Sequence, residues 1–356
     1  MGSEIPQRAV LFPCTDLSVL LISQYRDQLE PLYHFALPEH EIVETLINKV
    51  SFYAYAQRKG LPIPTTFLLR SRLDAQKAAP QLEFPCVFKP AIKTAIWEQR
   101  SESKVYKVAS AESFLKLYNR CADWAEQFVV QEWIEGPDSN LCSCYCYFNS
   151  DSEPLVAFTA DKIRQWPPEK GTGSLGQECR NDIVRDQTLE LFRSLNHHGF
   201  GSLEMKRDEA TGNHYITEPS VGRPTGRSAI AEAGGVELIY TSYCDLLALP
   251  LPPNREQTYK GAKWIYLRRD FQSALYYWRR GELRFRDWWR SLRGRKRYAV
   301  LSLSDPAPFW ADIRRTISTI ISTRQVKRLP ITETTDHRIR RDSRSDPHHL
   351  TEDART

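Results

Sequence analysis

Two glutamates, Glu204 and Glu218, stand fourteen residues apart in SLEMKRDEATGNHYITEPS, on either side of the turn Thr211-Gly212-Asn213. Folded as an antiparallel hairpin, these strands would set two carboxylates side by side. Adjacent carboxylates repel, and one keeps its proton unless a cation intervenes. A hard divalent ion such as Mg²⁺, which takes one or two carboxylates plus phosphate oxygens, removes that conflict. A surface hairpin with charged edges is the plainer reading. Leu203, Met205, Tyr215 and Ile216 on the same strands argue against full exposure.

Basic residues recur around this pair. Lys89 closes the apolar run FPCVFKPA, where burial would demand an anionic partner and a strand end would release it to solvent. Lys162 and Arg164 alternate in DKIRQ, so both are expected to point into one cleft. The glycine-rich stretch 171–176 is expected to be a loop whose amides could close over phosphates. It lacks the GxxxxGK[ST] pattern of a P-loop. Arg223 and Arg227 follow in VGRPTGRS as planar forks suited to carboxylate or phosphate, or as an exposed basic loop. In QEWIEGPD the backbone around Gln131 and Glu132 could face a flat base. Trp133 and Ile134 could wall it, and Asp138 could hold two ribose hydroxyls. A strand followed by a Gly-Pro turn explains the same letters.

Periodicity supplies the elements that would position these groups. AVLF reads as a short strand and LSVLLISQYRDQLEPLY as a helix. EHEIVETLINKVSFYAYAQRKG reads as one strong helix stopped by Gly60. TTFLL, FPCVFKPA and KVYKVAS are strands, followed by the helix AESFLKLYNRCADWAEQ and the strand FVVQEWI. LCSCYCYF and LVAFTADKIRQ are expected to be antiparallel neighbours. RDQTLELFRSLNHHG should be a helix ended by Gly199, and SAIAEAGGVELIYTSYCDLLALPLP is helical. Cys142, Cys144 and Cys146 alternate, which puts all three on one strand face. Such a row could hold a soft metal, but tetrahedral sites draw ligands from separate turns, so buried reduced thiols are expected.

With 356 residues, 41% hydrophobic and 26% charged, the chain is globular and long enough for two or three domains. A disulfide mini-protein, a collagen-like chain and a wholly disordered one are excluded. No apolar window reaches the length of a membrane span, and the N-terminus has no signal-peptide pattern, so a cytoplasmic location is expected. The net charge of +5 conceals an uneven distribution. Residues 263–297 carry twelve Lys/Arg against three acids, interleaved with Trp264, Trp278, Trp288 and Trp289. That mixture suits an anionic membrane surface or a polyanionic glycan precursor, or else a docked helical subdomain with solvated arginines. Nucleic acid is the weakest option, since no binding motif accompanies the charge. The polar stretch 324–356 is expected to be disordered.

Taken in order, residues 41–250 resemble the ATP-grasp superfamily, most closely its carboxylate–amine ligases of the D-aspartate ligase-like kind. INKVSFYAYAQRKGLPIPTT resembles the segment whose helix-borne lysine contacts phosphate, here Lys49. FPCVFKPA is similar to the strand of the second nucleotide lysine, Lys89. VVQEWIEGPD is similar to the adenine hinge (Gln131, Glu132, Trp133, Ile134), with Asp138 at the ribose position. DKIRQ places Lys162 as a further phosphate contact. LEMKRD and YITEPS resemble the metal segment, which makes Glu204 and Glu218 Mg²⁺ ligands, with Ser220 where the family usually has Asn. Arg223 or Arg227 would hold the acceptor carboxylate or the developing anion.

The resemblance implies an α/β fold of two lobes. Residues 1–48 would be a reduced preceding α/β segment, 49–128 the small lobe and 129–253 the large lobe with the metal site. Residues 254–323 would form a basic helical extension. It also implies ATP and Mg²⁺ as cofactors and an acylphosphate route to an amide or peptide-like bond, on small-molecule or glycan-linked carboxylate and amine substrates. An ATP-grasp kinase, or a nucleotide-binding module without turnover, is the alternative.

Overall fold

The computed structural model describes residues 7–326 except Lys93, Lys104 and Lys170. At the start, β1 (Ala9–Val10) leads into α1 (Asp16–Gln24) and α2 (Arg26–Leu29), and β2 (Tyr33–His34) pairs with β1 in parallel. Thr15 caps α1 by accepting the Ser18 amide at 3.1 Å. Next come α3 (His40–Ile47) and α4 (Lys49–Lys59). The single helix expected here is broken at Asn48, whose extended backbone lets its side-chain oxygen accept the amides of Val50 at 2.9 Å and Ser51 at 3.3 Å. The break puts Lys49 at the first position of a new helix. Gly60 ends α4 in the left-handed region, as expected.

The small sheet is built from β3 (Thr66–Leu69), α5 (Arg72–Ala78), β4 (Cys86–Pro90), α6 (Ala95–Arg100), β5 (Tyr106–Val108), α7 (Ala111–Cys121) and β6 (Phe128–Glu132). Its four strands are antiparallel in the order β3-β6-β4-β5. Cys86 and Phe88 point to a core with Phe114, Tyr118 and Phe128, and the Phe88 and Phe128 rings stack at 4.9 Å. The period of two then turns Lys89 to the opposite face. Since β6 hydrogen-bonds to β3 and β4, the lobe boundary expected at 128/129 falls inside a strand of the small sheet and moves past Glu132.

The large sheet takes β7 (Leu141–Phe148), β8 (Pro154–Trp166), β9 (Thr172–Glu178), then, after α8 (Asp182–Ser194), β10 (Gly199–Arg207) and β11 (His214–Val221). Beyond α9 (Ile230–Gly234) and α10 (Leu238–Leu246) it gains β12 (Lys263–Ile265). Following α11 (Leu267–Arg279) and α12 (Phe285–Ser291), it gains β13 (Lys296–Tyr298). The order is β11-β10-β7-β8-β9-β12-β13, antiparallel except for β12–β13. Alternation along β7 sends Cys142, Cys144, Cys146 and Phe148 into a core with Val184, Leu191 and Phe192 of α8. Ser143 and Tyr145 face the other way, into a cavity.

Four expectations are corrected here. The stretch 171–176 is not a phosphate loop, because Thr172–Glu178 pairs with β8 and β12 inside the sheet. Its Gly173 serves close approach: a Cβ there would come within 2.6 Å of Arg227 Cδ. Helix α8 ends at Ser194, and Gly199 opens β10 instead. The helix expected over 228–252 is instead two, Ile230–Gly234 and Leu238–Leu246, divided at Gly235, at φ +88. The basic segment 254–323 is no separate helical subdomain, because β12 and β13 extend the large sheet. Within it, Gly281 at φ +73 lies between α11 and α12.

Residues up to Pro306 form one unit, and α13 (Ala307–Val326) belongs to another. The expected disordered tail begins inside α13 at Arg324–Val326, and its remainder, 327–356, lies outside the described residues. No described helix is long and apolar enough to cross a membrane.

Candidate active site

β10 and β11 pair Glu204 directly with Glu218, and Ser202 with Ser220. The carboxylates therefore share one face, as the hairpin reading expected. Both line a cavity of about 510 Å³ with Ser220, Lys162, Arg223 and Arg227. Glu204 Oε2 is 2.8 Å from Lys162 Nζ and 2.9 Å from Arg227 Nη2. The Ser143 hydroxyl joins Arg227 at 3.0 Å. Burial pushes Glu204 toward its neutral acid, but Lys162 and Arg227 overcome that push and hold its pKa down at about 2. Lys162 is nearly enclosed and shares its anion with Arg227, so burial keeps its ammonium pKa below the usual range. Glu218 is exposed and meets Lys49 Nζ at 3.6 Å. Arg223 lies away from Glu204 and binds Asp16 Oδ1 at 2.7 Å. Lys49, Glu218, Ser220, Arg223 and Asp16 also line a smaller cavity of about 110 Å³.

Arg164 does not join Lys162. The register of β8 slips between the two residues, and Arg164 turns into the protein. There its Nε and Nη2 meet Asp270 Oδ1 and Oδ2 at 2.8 and 3.0 Å, both side chains buried. Trp288 Nε1 donates to the same carboxylate at 3.0 Å. This is an internal clamp of α11 and α12 onto β8.

Trp133 and Asp138 of the hinge segment line another cavity of about 670 Å³. Trp133 is flanked by Lys107 and Lys206, whose ammonium groups lie 4.1 and 5.1 Å from its ring. Lys206 also donates to Ile134 O at 2.8 Å. Gln131 turns inward, donating to Thr66 Oγ1 at 2.8 Å and accepting from the Tyr53 hydroxyl at 3.2 Å and from Lys89 at 3.4 Å. Glu132 accepts the Thr65 amide at 3.4 Å. Asp138 is buried with both oxygens engaged, by Gln165 Nε2 at 2.6 Å and the Tyr277 hydroxyl at 2.7 Å. A free ribose-binding carboxylate was expected, and the structure has a satisfied one instead.

Sequence reasoning missed Ser143, Tyr53, Gln165 and Tyr277, because each acts through a partner far away along the chain. Asp270, Ser273, Ala274 and Tyr277 share one helical face, which was a readable signal on α11.

The all-oxygen set of Glu204, Glu218 and Ser220 fits a hard divalent cation. Oε1 of Glu204 faces only the weak 3.4 Å approach of the Thr217 hydroxyl and keeps acceptor capacity.

A four-stranded antiparallel sheet together with a larger antiparallel sheet is also found in known structures. The chain superimposes on biotin carboxylase from Campylobacter jejuni, in a structure described as its β,γ-ATP complex, with a TM-score of 0.59 at 13% identity. The match covers 72% of this chain and 58% of that one. The chain has an ATP-grasp fold.

Two curated ligases are similar to it in sequence. D-aspartate ligase of Enterococcus faecium (strain Aus0004) is 26% identical over 238 residues, 64% of this chain and 56% of that protein. D-alanine–D-alanine ligase of Stutzerimonas stutzeri (strain A1501) is 32% identical over 180 residues, 46% of this chain and 51% of that protein. The chain thus spans a little over half the length of these relatives. No protein-family model matches it.

Proposed function

We propose that this ATP-grasp protein is an ADP-forming carboxylate–amine ligase that uses Mg²⁺. The observation that carries this reading is the in-register pair Glu204–Glu218, facing one cavity with Lys162 and Arg227. Glu204, Glu218 and Ser220 would hold Mg²⁺, which supplies charge neutralisation between phosphate oxygens. Lys49, Lys89 and Lys162 would position phosphates in line with an attacking carboxylate. Arg227, and Arg223 once released from Asp16, would hold the acid or the anion formed when an amine displaces phosphate from the acylphosphate. Trp133 and Ile134 would border the base and Asp138 the ribose, the last after exchanging one of its present donors.

The printed names of the relatives make D-aspartate and D-alanine the first acids to try, with amino sugars and amino acids as amines. Purified protein should release ADP and phosphate only when Mg-ATP, acid and amine are all present, and the product should be an amide. A stable phosphoester would show a kinase instead. Nucleotide binding without turnover would show a binding module, and failure to bind Mg-ATP at millimolar nucleotide would overturn the reading.

A contact with an anionic membrane surface is favoured by one further observation. Phe271, Trp278 and Phe285 are exposed around an apolar cavity of about 350 Å³ rimmed by Arg284, and Trp289 is exposed close by. Aromatic rings beside arginines match an anionic headgroup layer. Flotation with liposomes should depend on anionic lipid. Equal recovery with neutral lipid would leave a soluble polyanionic glycan as the ligand of this face.

A further inference from the structure

The back of the large sheet holds a cluster unrelated to the phosphate cavity. Cys142 of β7 stands opposite Asp161 of β8. Cys179 comes one residue after β9, where its amide bonds to Thr159 O at 3.2 Å. Three separate chain segments thus converge. Cys142 Sγ lies 3.6 Å from Cys179 Sγ, and Cys179 Sγ lies 3.1 Å from Asp161 Oδ1. All three ligand atoms fall within 4.8 Å of one another. The partner of Cys142 is therefore Cys179, from another segment, rather than Cys144 or Cys146 on its own strand. That meets the requirement for separate turns which counted against a metal at the level of sequence.

We propose that Cys142, Cys179 and Asp161 form a binding site for Zn²⁺ or a similar borderline-soft divalent cation. Two thiolates at about 2.3 Å from a tetrahedral zinc stand about 3.8 Å apart, and a thiolate and a carboxylate oxygen about 3.5 Å apart. The Cys142–Cys179 and Cys179–Asp161 distances need to open by only about 0.2–0.4 Å. Among the described residues, no Lys or Arg forms an ion pair with Asp161, so its half-buried carboxylate has thiols for close neighbours and His214 as the basic group acting on it. Cys142 is buried while Cys179 and Asp161 are half-exposed, which leaves an entry path. His214, whose ring meets Asn181 Nδ2 at 3.3 Å and whose charge is felt by Asp161, or a water, would take the fourth position. The ion would tie β7, β8 and the β9–α8 connection together.

The test titrates Co²⁺ and then Zn²⁺ into the full chain, freed of metal under reducing conditions. One equivalent should bind with thiolate-to-cobalt charge-transfer absorption, zinc should displace it, and Tm should rise. Cys179→Ser and Asp161→Asn should each weaken binding at least tenfold. Cys144→Ser, outside the cluster, should leave the charge-transfer band unchanged. Cys142 is buried, so Cys179 carries the cysteine test. Absence of the charge-transfer band, unaltered binding by Cys179→Ser, or two thiols missing from the denatured, unreduced protein would each overturn the site.

Discussion

Glu204 and Glu218 face each other across β10 and β11, yet they are held by different cations in different surroundings. Glu204 is 20% exposed and bound to Lys162 and Arg227, whereas Glu218 is 62% exposed and reaches only Lys49. One carboxylate is thus part of the interior electrostatics, and the other is a largely exposed group paired with Lys49.

That asymmetry separates stability from chemistry. Glu218→Gln removes an exposed charge and should change unfolding free energy by no more than about 0.5 kcal/mol. It should still lower ADP formation about 100-fold or more if Glu218 holds the cation. Glu204→Gln leaves Lys162 and Arg227 crowded without their anion and should cost about 3 kcal/mol in addition to activity. Urea unfolding beside an ADP-release assay distinguishes the two. Equal stability losses would contradict the assigned environments.

The acid limb of stability should report Glu204 directly. Its pKa falls from 4.5 to about 2 on folding. A depressed carboxylate pKa contributes stability that is fully present above the unfolded value and is lost as pH falls through the folded one. The window is therefore about pH 4.5 down to about pH 2, and the contribution is about 3 kcal/mol. Urea midpoints of wild type and Glu204→Gln should converge across that window as the wild type loses its advantage. Parallel curves would show that the ion pairs add nothing.

How far the sequence reached depended on whether a partner was local. The Glu204–Glu218 register was legible because the hairpin turn lies between the two residues. The break at Asn48 was legible in principle, since Asn is a strong cap, but the continuous apolar stripe masked it. The strand at Thr172–Glu178 was hidden by glycines, which read as a loop until Arg227 is seen against Gly173. The divergence of Lys162 and Arg164 needed the slip in β8, which alternation cannot reveal. The basic segment seemed a separate module from its charge. Its buried face carries Asp270 and Tyr277, which reach Arg164 and Asp138 more than a hundred residues back along the chain.

Tyr277→Phe tests whether Asp138 serves the nucleotide. The Tyr277 hydroxyl donates to Asp138 Oδ2, and burial together with that bond pushes the phenol pKa upward. Removing the donor frees one carboxylate oxygen for ribose hydroxyls, while Gln165 keeps the other in place. A neutral hydrogen bond to a charged acceptor is worth about 1.5–3 kcal/mol, part of which ribose would recover. ATP should bind a few-fold more tightly, with little change for a nucleotide lacking both ribose hydroxyls. Weaker binding of both nucleotides would show that Tyr277 orients Asp138 rather than competes for it.

Gly173→Ala tests the wall behind Arg227. The added methyl would lie 2.6 Å from Arg227 Cδ and 3.1 Å from Nη1, so the arginine must move. Strand pairing of β9 need not change, since the backbone of Gly173 lies outside the left-handed region. The displaced guanidinium would lose its 2.9 Å contact with Glu204 and its 3.0 Å contact with Ser143. Overpacking of this kind costs about 1–3 kcal/mol. Turnover should fall more than stability predicts, and added guanidinium at millimolar concentration should restore part of it to Arg227→Ala but not to Gly173→Ala, where the side chain still fills the cavity. Activity close to wild type in Gly173→Ala would show that Arg227 is not held against Glu204 during the reaction.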